Sequence, residues 1–208
     1  LPMPMINVMN GGQHALGATD FQEYMIIPAS ATTFSDVVRM SAEVFHSLAK
    51  VLKDENYPTT VGDEGGYAPR VRGGNMEPMA LLARAIEQAG YKLGTDFGFA
   101  LDVAASEFYE NGKYNLATEK RVLSAEEMIR TYKALIERVP VLSIEDGLNE
   151  EAWADWQKMT AELGGVTQLV GDDLFVTNTE RLQRGINEKA GNEILIKPNQ
   201  IGTLSETI

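Results

Sequence analysis

Four polar residues close four apolar runs in this sequence. Asp102 follows Phe97-Gly-Phe-Ala-Leu, Glu145 follows Val139-Pro-Val-Leu-Ser-Ile, Asp172 follows Gln168-Leu-Val-Gly, and Lys197 follows Ile194-Leu-Ile. Three carboxylates brought together repel one another and hold protons tightly unless a cation sits among them. Oxygen donors without His or Cys suit Mg²⁺ rather than zinc. A single acid at a strand end commonly caps the next helix, but three in succession followed by a Lys read as a site. Strand alternation turns the adjoining Asp146 and Asp173 the other way, toward partners of the ligands or helix caps. Lys197 sits between Ile196 and Pro198. Desolvation and a neighbouring divalent cation both disfavour its ammonium, so it is expected to accept a proton near neutral pH. A salt bridge from Lys197 to one of the three carboxylates is the alternative, and the sequence leaves it open.

Two glycine-rich loops carry further candidates. Gly62-Asp63-Glu64-Gly65-Gly66 reads either as a plain turn or as a mobile loop that presents Glu64 to a substrate. Asn10-Gly-Gly-Gln-His14 places a His where it could bond a phosphate or carboxylate. Gln22 and Glu23 open the second strand, where Glu23 could share a site with Glu64. Two neighbouring carboxyls keep one of them protonated, as a general acid requires. His46 falls inside a helical stretch and reads as a packing or surface residue. Other chemistries lack their motifs: there is no Walker loop, no Gly-x-Ser-x-Gly, no His-x-x-x-His and no dinucleotide glycine spacing.

The elements that must position these groups follow a βα rhythm. The tips Asp102, Glu145, Asp172 and Lys197 are 43, 27 and 25 residues apart, room for a helix and two loops each time. Ser124-Ala-Glu-Glu127, Thr177-Asn-Thr-Glu180 and Thr203-Leu-Ser-Glu206 are capping boxes, and a helix over Glu151 to Leu163 carries Trp153, Trp156 and Met159. The longest gap also holds a hairpin at Tyr109-Glu-Asn-Gly-Lys-Tyr114. Earlier, Met5–Met9 and Tyr24–Ile27 read as strands joined by a long loop. A helix over about Thr33 to Asp54 has Phe34, Val37, Val38, Ala42, Phe45, Leu48, Ala49 and Leu52 on its apolar face. A second helix covers about Glu77 to Ala89. Buried parallel strands with polar ends imply an α/β fold, a (β/α) barrel or an open doubly wound sheet.

Composition narrows the partners. The 208 residues are 44% hydrophobic, enough for a sizeable core. Thirty acids against eighteen bases give a formal charge of -12, which argues against direct nucleic-acid binding and against a polybasic membrane module. Without Cys there is no disulfide, thiolate metal site or Cys nucleophile. No spanning segment or signal peptide is legible, and a soluble cytosolic protein is the expectation. The chain opens at Leu1 and stops at Ile208 just inside a new helix, so it reads as an internal piece of something longer.

Seven stretches then resemble the enolases (phosphopyruvate hydratases), in order and end to end. They are Asn10–Ala15, Asp20–Glu23, Gly62–Pro69, Leu101–Phe108, Ser143–Asp146, Gly171–Leu174 and Ile196–Thr203, of bacterial rather than animal or yeast type. The resemblance implies part of the carboxy-terminal catalytic barrel over 1–208. That is an incomplete enolase-type TIM barrel, ββαα followed by βα units, with the last two strands and the amino-terminal domain absent. It implies reversible dehydration of 2-phospho-D-glycerate to phosphoenolpyruvate by the whole enzyme, with this piece inactive alone. By the same carry-over, Asp102, Glu145 and Asp172 bind Mg²⁺ and Lys197 removes the α-proton. Glu64 helps hydroxide leave, Glu23 assists it, and His14 and Gln22 contact substrate. A Lys base working beside Mg²⁺ is the pattern already associated with that superfamily. An extra residue or two near Val71–Asn75 departs from common bacterial forms.

The resemblance also implies a homo-oligomer, dimer or octamer, in the cytoplasm. Surface or secreted forms that bind plasminogen, and membership of an RNA-degrading assembly, are further partners known in the family. Two rivals stay open on the sequence: another superfamily enzyme such as a racemase or cycloisomerase, and a non-catalytic binding protein on the same fold.

Overall fold

The computed structural model describes residues 2–208. In chain order, β1 (Ile6–Asn10) and β2 (Glu23–Ile27) precede α1 (Phe34–Asp54) and α2 (Glu77–Gln88). Next come β3 (Gly98–Asp102), the short strands β4 (Tyr109–Glu110), β5 (Lys113–Leu116) and β6 (Arg121–Leu123), and α3 (Ala125–Ile136). The chain continues through β7 (Val141–Glu145), α4 (Trp153–Leu163), β8 (Gln168–Gly171), α5 (Thr179–Glu188), β9 (Glu193–Ile194), α6 (Pro198–Ile201) and α7 (Leu204–Thr207).

Six strands form one sheet in the order β1-β2-β3-β7-β8-β9. The pairs β1–β2 and β2–β3 are antiparallel, and the rest are parallel. The sheet is open, with β1 and β9 at its edges. This is the ββαα-then-βα order expected of an incomplete barrel. Register does the positioning. Asn10 pairs with Glu23, Glu23 with Asp102, and Asp102 with Glu145, so four polar side chains from four strands stand in one row.

The helices cover the sheet with apolar stripes. On α1 the buried stripe is Val37, Met40, Val44, Leu48, Val51 and Leu52. Phe34, Val38 and Ala42, expected on that face, are exposed, because the stripe is centred one step round on Met40 and Val44. Three buried tyrosines each hold a backbone group: Tyr24 Oη donates to the Asn75 carbonyl, Tyr132 Oη to the Gly147 carbonyl, and Tyr114 Oη accepts from the Asn149 N–H. The last two fix the loop that follows β7.

Of the three expected capping boxes, one forms in full and a second forms only its N-cap half. Ser124 and Glu127 form a reciprocal box, and Thr203 accepts from the Glu206 N–H. At α5 the cap is Asn178, whose Oδ1 accepts from Glu180 and Arg181. Thr177 lies one residue too early, at φ +52, and turns its hydroxyl to another use. The hairpin at Asn111-Gly112 forms, with β6 added as an unforeseen third strand. The fourth parallel strand is shorter than its apolar run: β9 ends at Ile194, and Lys197 lies beyond it as the residue before α6.

Candidate active site

The loop after β1 turns back at once. Gly11 N–H bonds the Gln22 carbonyl at 2.9 Å and Gly12 N–H bonds the Thr19 carbonyl at 3.0 Å. A Cβ at Gly11 would stand 1.8 Å from Thr19 Oγ1 and 2.4 Å from the Phe21 carbonyl, so only glycine allows this closure. His14, inside the loop, lies with Nδ1 3.4 Å from Glu23 Oε1 and 3.8 Å from Glu64 Oε2. These are charge-range contacts, and Nδ1 forms no hydrogen bond.

The Glu64 loop is anchored rather than free. Gly62 N–H reaches the Gly66 carbonyl at 2.8 Å, Gly66 N–H reaches Asn10 Oδ1 at 2.9 Å, and Asp63 N–H reaches the His14 carbonyl at 3.1 Å. Glu64 itself is half exposed, and Asn7 Nδ2 donates to it at 3.3 Å. Burial, the hydrogen bond with Glu64 and the charge of Asp102 raise the Glu23 carboxyl to about 8. The hydrogen bond with Glu23 holds Glu64 below the ordinary carboxylate range. Of the two carboxyls, the more deeply buried Glu23 is the one pushed up.

Asp102, Glu145, Asp146 and Asp172 are all buried. Burial raises Asp102 to about 6, partly offset by bonds from Gln22 Nε2 at 3.0 Å and the Ala104 N–H at 2.9 Å. Burial, then the charges of Asp102, Asp146 and Asp172, raises Glu145 to about 9. Asp146 is also raised by burial, to about 8. Glu145, Asp146 and Asp172 bring carboxylate oxygens within 4.8 Å of one another. Asp102 stands outside that trio, held by Gln22. Strand alternation was expected to turn Asp146 away. Its left-handed φ of +42 ends the strand pattern, and its carboxylate accepts the N–H groups of Asp172 and Asp173 at 3.1 and 2.8 Å. It aims the following acid.

Lys197 is ion-paired with Asp172. Burial pushes its ammonium down, but the bond to Asp172 and the charges of Asp172, Glu145 and Asp102 outweigh burial and leave it raised. Of the two arrangements the sequence left open, the salt bridge to a carboxylate is the one formed here. Two partners were not foreseen. Gln200 Nε2 donates to Asp172 Oδ1 at 2.7 Å, and Thr177 Oγ1 donates to Gln200 Oε1 and accepts from the Lys197 N–H, each at 2.8 Å. Asn7 and Asn10 on β1, Thr177 in a loop and Gln200 in α6 are neutral side chains, and only their nearness to glycine loops or Lys197 could have marked them.

A family model described as the enolase carboxy-terminal TIM barrel domain matches residues 1–208. The chain belongs to the enolase carboxy-terminal barrel family. It is 54% identical over 209 residues to an enolase of Wolinella succinogenes and 52% identical to one of Helicobacter acinonychis. Each match takes in all of this chain and 49% of the relative, so the chain spans about half the length of the curated relatives it matches. Enolase membership implies a metal cofactor. The donors fit one: several buried carboxylates with raised pKa values face a single lysine, and a hard divalent cation would replace the protons they hold.

Proposed function

We propose that residues 1–208 form part of the catalytic barrel domain of an enolase that reversibly dehydrates 2-phospho-D-glycerate to phosphoenolpyruvate. The observation that carries this reading is the polar row Asn10–Glu23–Asp102–Glu145, with Asp172 and Lys197 beside it, at one end of the sheet. Ligands of parallel α/β sheets bind beyond such strand ends.

Asp102, Glu145 and Asp172 are proposed to hold Mg²⁺. The cation would supply positive charge at the substrate carboxylate, where a second negative charge develops as the α-proton leaves. Lys197 Nζ takes that proton once Asp172 is engaged elsewhere and the amine is neutral; in the resting site Asp172 sets where the amine sits, and Gln200 holds Asp172. On the opposite side, the Glu23–Glu64 pair supplies the proton that lets hydroxide depart, and Glu64 is the member that reaches solvent. His14 and Gln22 flank the pair and are proposed to contact substrate.

By the same family reasoning, the intact protein is proposed to be cytoplasmic and homo-oligomeric, a dimer or octamer. Surface display with plasminogen binding and membership of an RNA-degrading assembly are proposals of the same kind. Among the described residues, no helix is long and apolar enough to cross a membrane. The test of function is direct. Intact protein with 2-phospho-D-glycerate should form phosphoenolpyruvate only when Mg²⁺ is present. Absence of product in a folded, magnesium-loaded sample would sink the reading.

A further inference from the structure

Asn75 is completely buried, and both polar atoms of its side chain are engaged. Its Oδ1 accepts the Asp20 N–H at 2.7 Å and the Phe21 N–H at 3.4 Å, while Nδ2 donates to Asp20 Oδ2 at 2.9 Å. Its backbone is held as well: the N–H donates to Glu119 Oε1 and the carbonyl accepts from Tyr24 Oη, each at 2.9 Å. Asp20 in turn accepts from the Thr118 N–H at 3.0 Å and from the Thr118 hydroxyl. Asn75, through its side chain, its backbone N–H and its partner Asp20, thus fastens three distant segments: the approach to β2, the loop before α2, and the turn between β5 and β6.

The fastened approach delivers two site residues. Asp20 and Phe21 run straight into Gln22 and Glu23, and Gln22 Nε2 meets Asp102. We propose that Asn75 is a positioning residue: by pinning Asp20 and Phe21 it fixes Gln22 and Glu23 relative to Asp102 and Glu64. This inference rests on the enolase reading above. Its physical basis is that a buried amide with every group satisfied has one low-energy arrangement. Truncating it strands the Asp20 and Phe21 N–H groups, while Asp20 Oδ2 keeps only the Thr118 hydroxyl, and the backbone moves to regain partners. Displacement by about 1 Å at a reacting group costs about 100-fold in rate.

The test uses the intact protein as wild type, Asn75→Ala, Asp20→Asn and the exchange Asp20→Asn/Asn75→Asp. All are assayed with 2-phospho-D-glycerate and Mg²⁺ well below each variant's Tm. The exchange keeps an oxygen acceptor at position 75 for the two backbone N–H groups, now from a carboxylate, and moves the amide donor to position 20. Asn75→Ala should lower kcat by about 10- to 100-fold with a smaller change in KM. Asp20→Asn should lower kcat less, and the exchange should recover most of the loss. A role limited to stability would lower Tm and leave kcat unchanged, which overturns the proposal. Should Asn75→Ala fail to fold, Asp20→Asn and the exchange carry the same test, and an exchange that does not recover kcat overturns it. A wild-type protein without turnover instead sinks the enolase reading, and this inference falls with it.

Discussion

The ammonium of Lys197 and the carboxylate of Asp172 form an ion pair across the mouth of the sheet, and Gln200 Nε2 occupies the other Asp172 oxygen at 2.7 Å. The pair joins a residue at the end of β8 to one beyond β9. It orients the amine and keeps it charged until Asp172 is engaged elsewhere.

Replacing Lys197 with Ala in the intact protein should abolish most turnover, because a positioned general base contributes about 10²- to 10⁴-fold. The substitution also unpairs Asp172, so Lys197→Met, which keeps the apolar stem, is the useful companion. Both should show low kcat with substrate KM changed little. Unchanged turnover in either variant would remove Lys197 from the role of base.

Metal and pH should compete at Glu145, while Asp146 and Glu23 titrate beside the proposed metal ligands. Glu145, Asp146 and Glu23 are raised to about 9, 8 and 8 from ordinary values of 4.5, 3.8 and 4.5. Across that interval the folded chain holds more protons than the unfolded one. Stability from these groups is therefore full below about pH 4 and is lost as pH rises toward 9. In chelator the Tm should fall steadily from mildly acid to alkaline pH. With Mg²⁺ the fall should be shallower, because the cation replaces the departing protons. Parallel melting curves in both conditions check this, and identical slopes would contradict it.

The strand tips were legible because each apolar run ends on one charged residue, and burial of both strand faces forces that pattern. Asp102 and Glu145 lie where their runs predict. Lys197 does not, because Ile196 is half exposed and the strand stops at Ile194. An apolar run marks burial, and only pairing partners decide where a ladder ends. The protonation states were less legible. They depend on which of two adjacent carboxyls is deeper, and spacing carries no depth. Asn7, Asn10 and Asn75 were missed for a related reason: a neutral amide acts through the partner its donor or acceptor atom happens to meet in space, and nothing in its chain neighbours announces that.

The capping box at α3 gives a separate test, remote from the chemistry. Ser124 Oγ accepts from the Glu127 N–H at 3.3 Å, and Glu127 Oε2 accepts from the Ser124 N–H at 2.7 Å. Ser124→Ala should cost about 1 kcal/mol of stability. The backbone and hydroxyl bonds from Ser124 hold Glu127 below its ordinary value. Its contribution is present above that ordinary value and is lost as pH falls through the lower folded one. The Tm difference between wild type and Ser124→Ala should therefore narrow in acid, with kcat untouched throughout. A gap that stays constant into acid would show that the box does not act through the charged carboxylate.

The Glu64 loop yields the most local prediction. Gly66 passes against the end of β1, and a Cβ there would lie 2.7 Å from Asn10 Oδ1 and 2.9 Å from the Met9 nitrogen. Met9 is backbone within the sheet and does not yield, so in Gly66→Ala the loop must shift instead. That breaks the Gly66 N–H bond to Asn10 and swings Glu64 away from Glu23. The Glu23–Glu64 pair is then parted, and with it the proposed acid for hydroxide departure. Expected is a fall in kcat of about 10²-fold, the scale of a misplaced reacting group. Gly65→Ala is the control on the same loop. Its Cβ would meet nothing within 4 Å, so only its φ of +84 is strained, and its loss of kcat should be the smaller of the two. Equal losses in both variants would point to loop strain in general rather than to the Gly66–Asn10 contact.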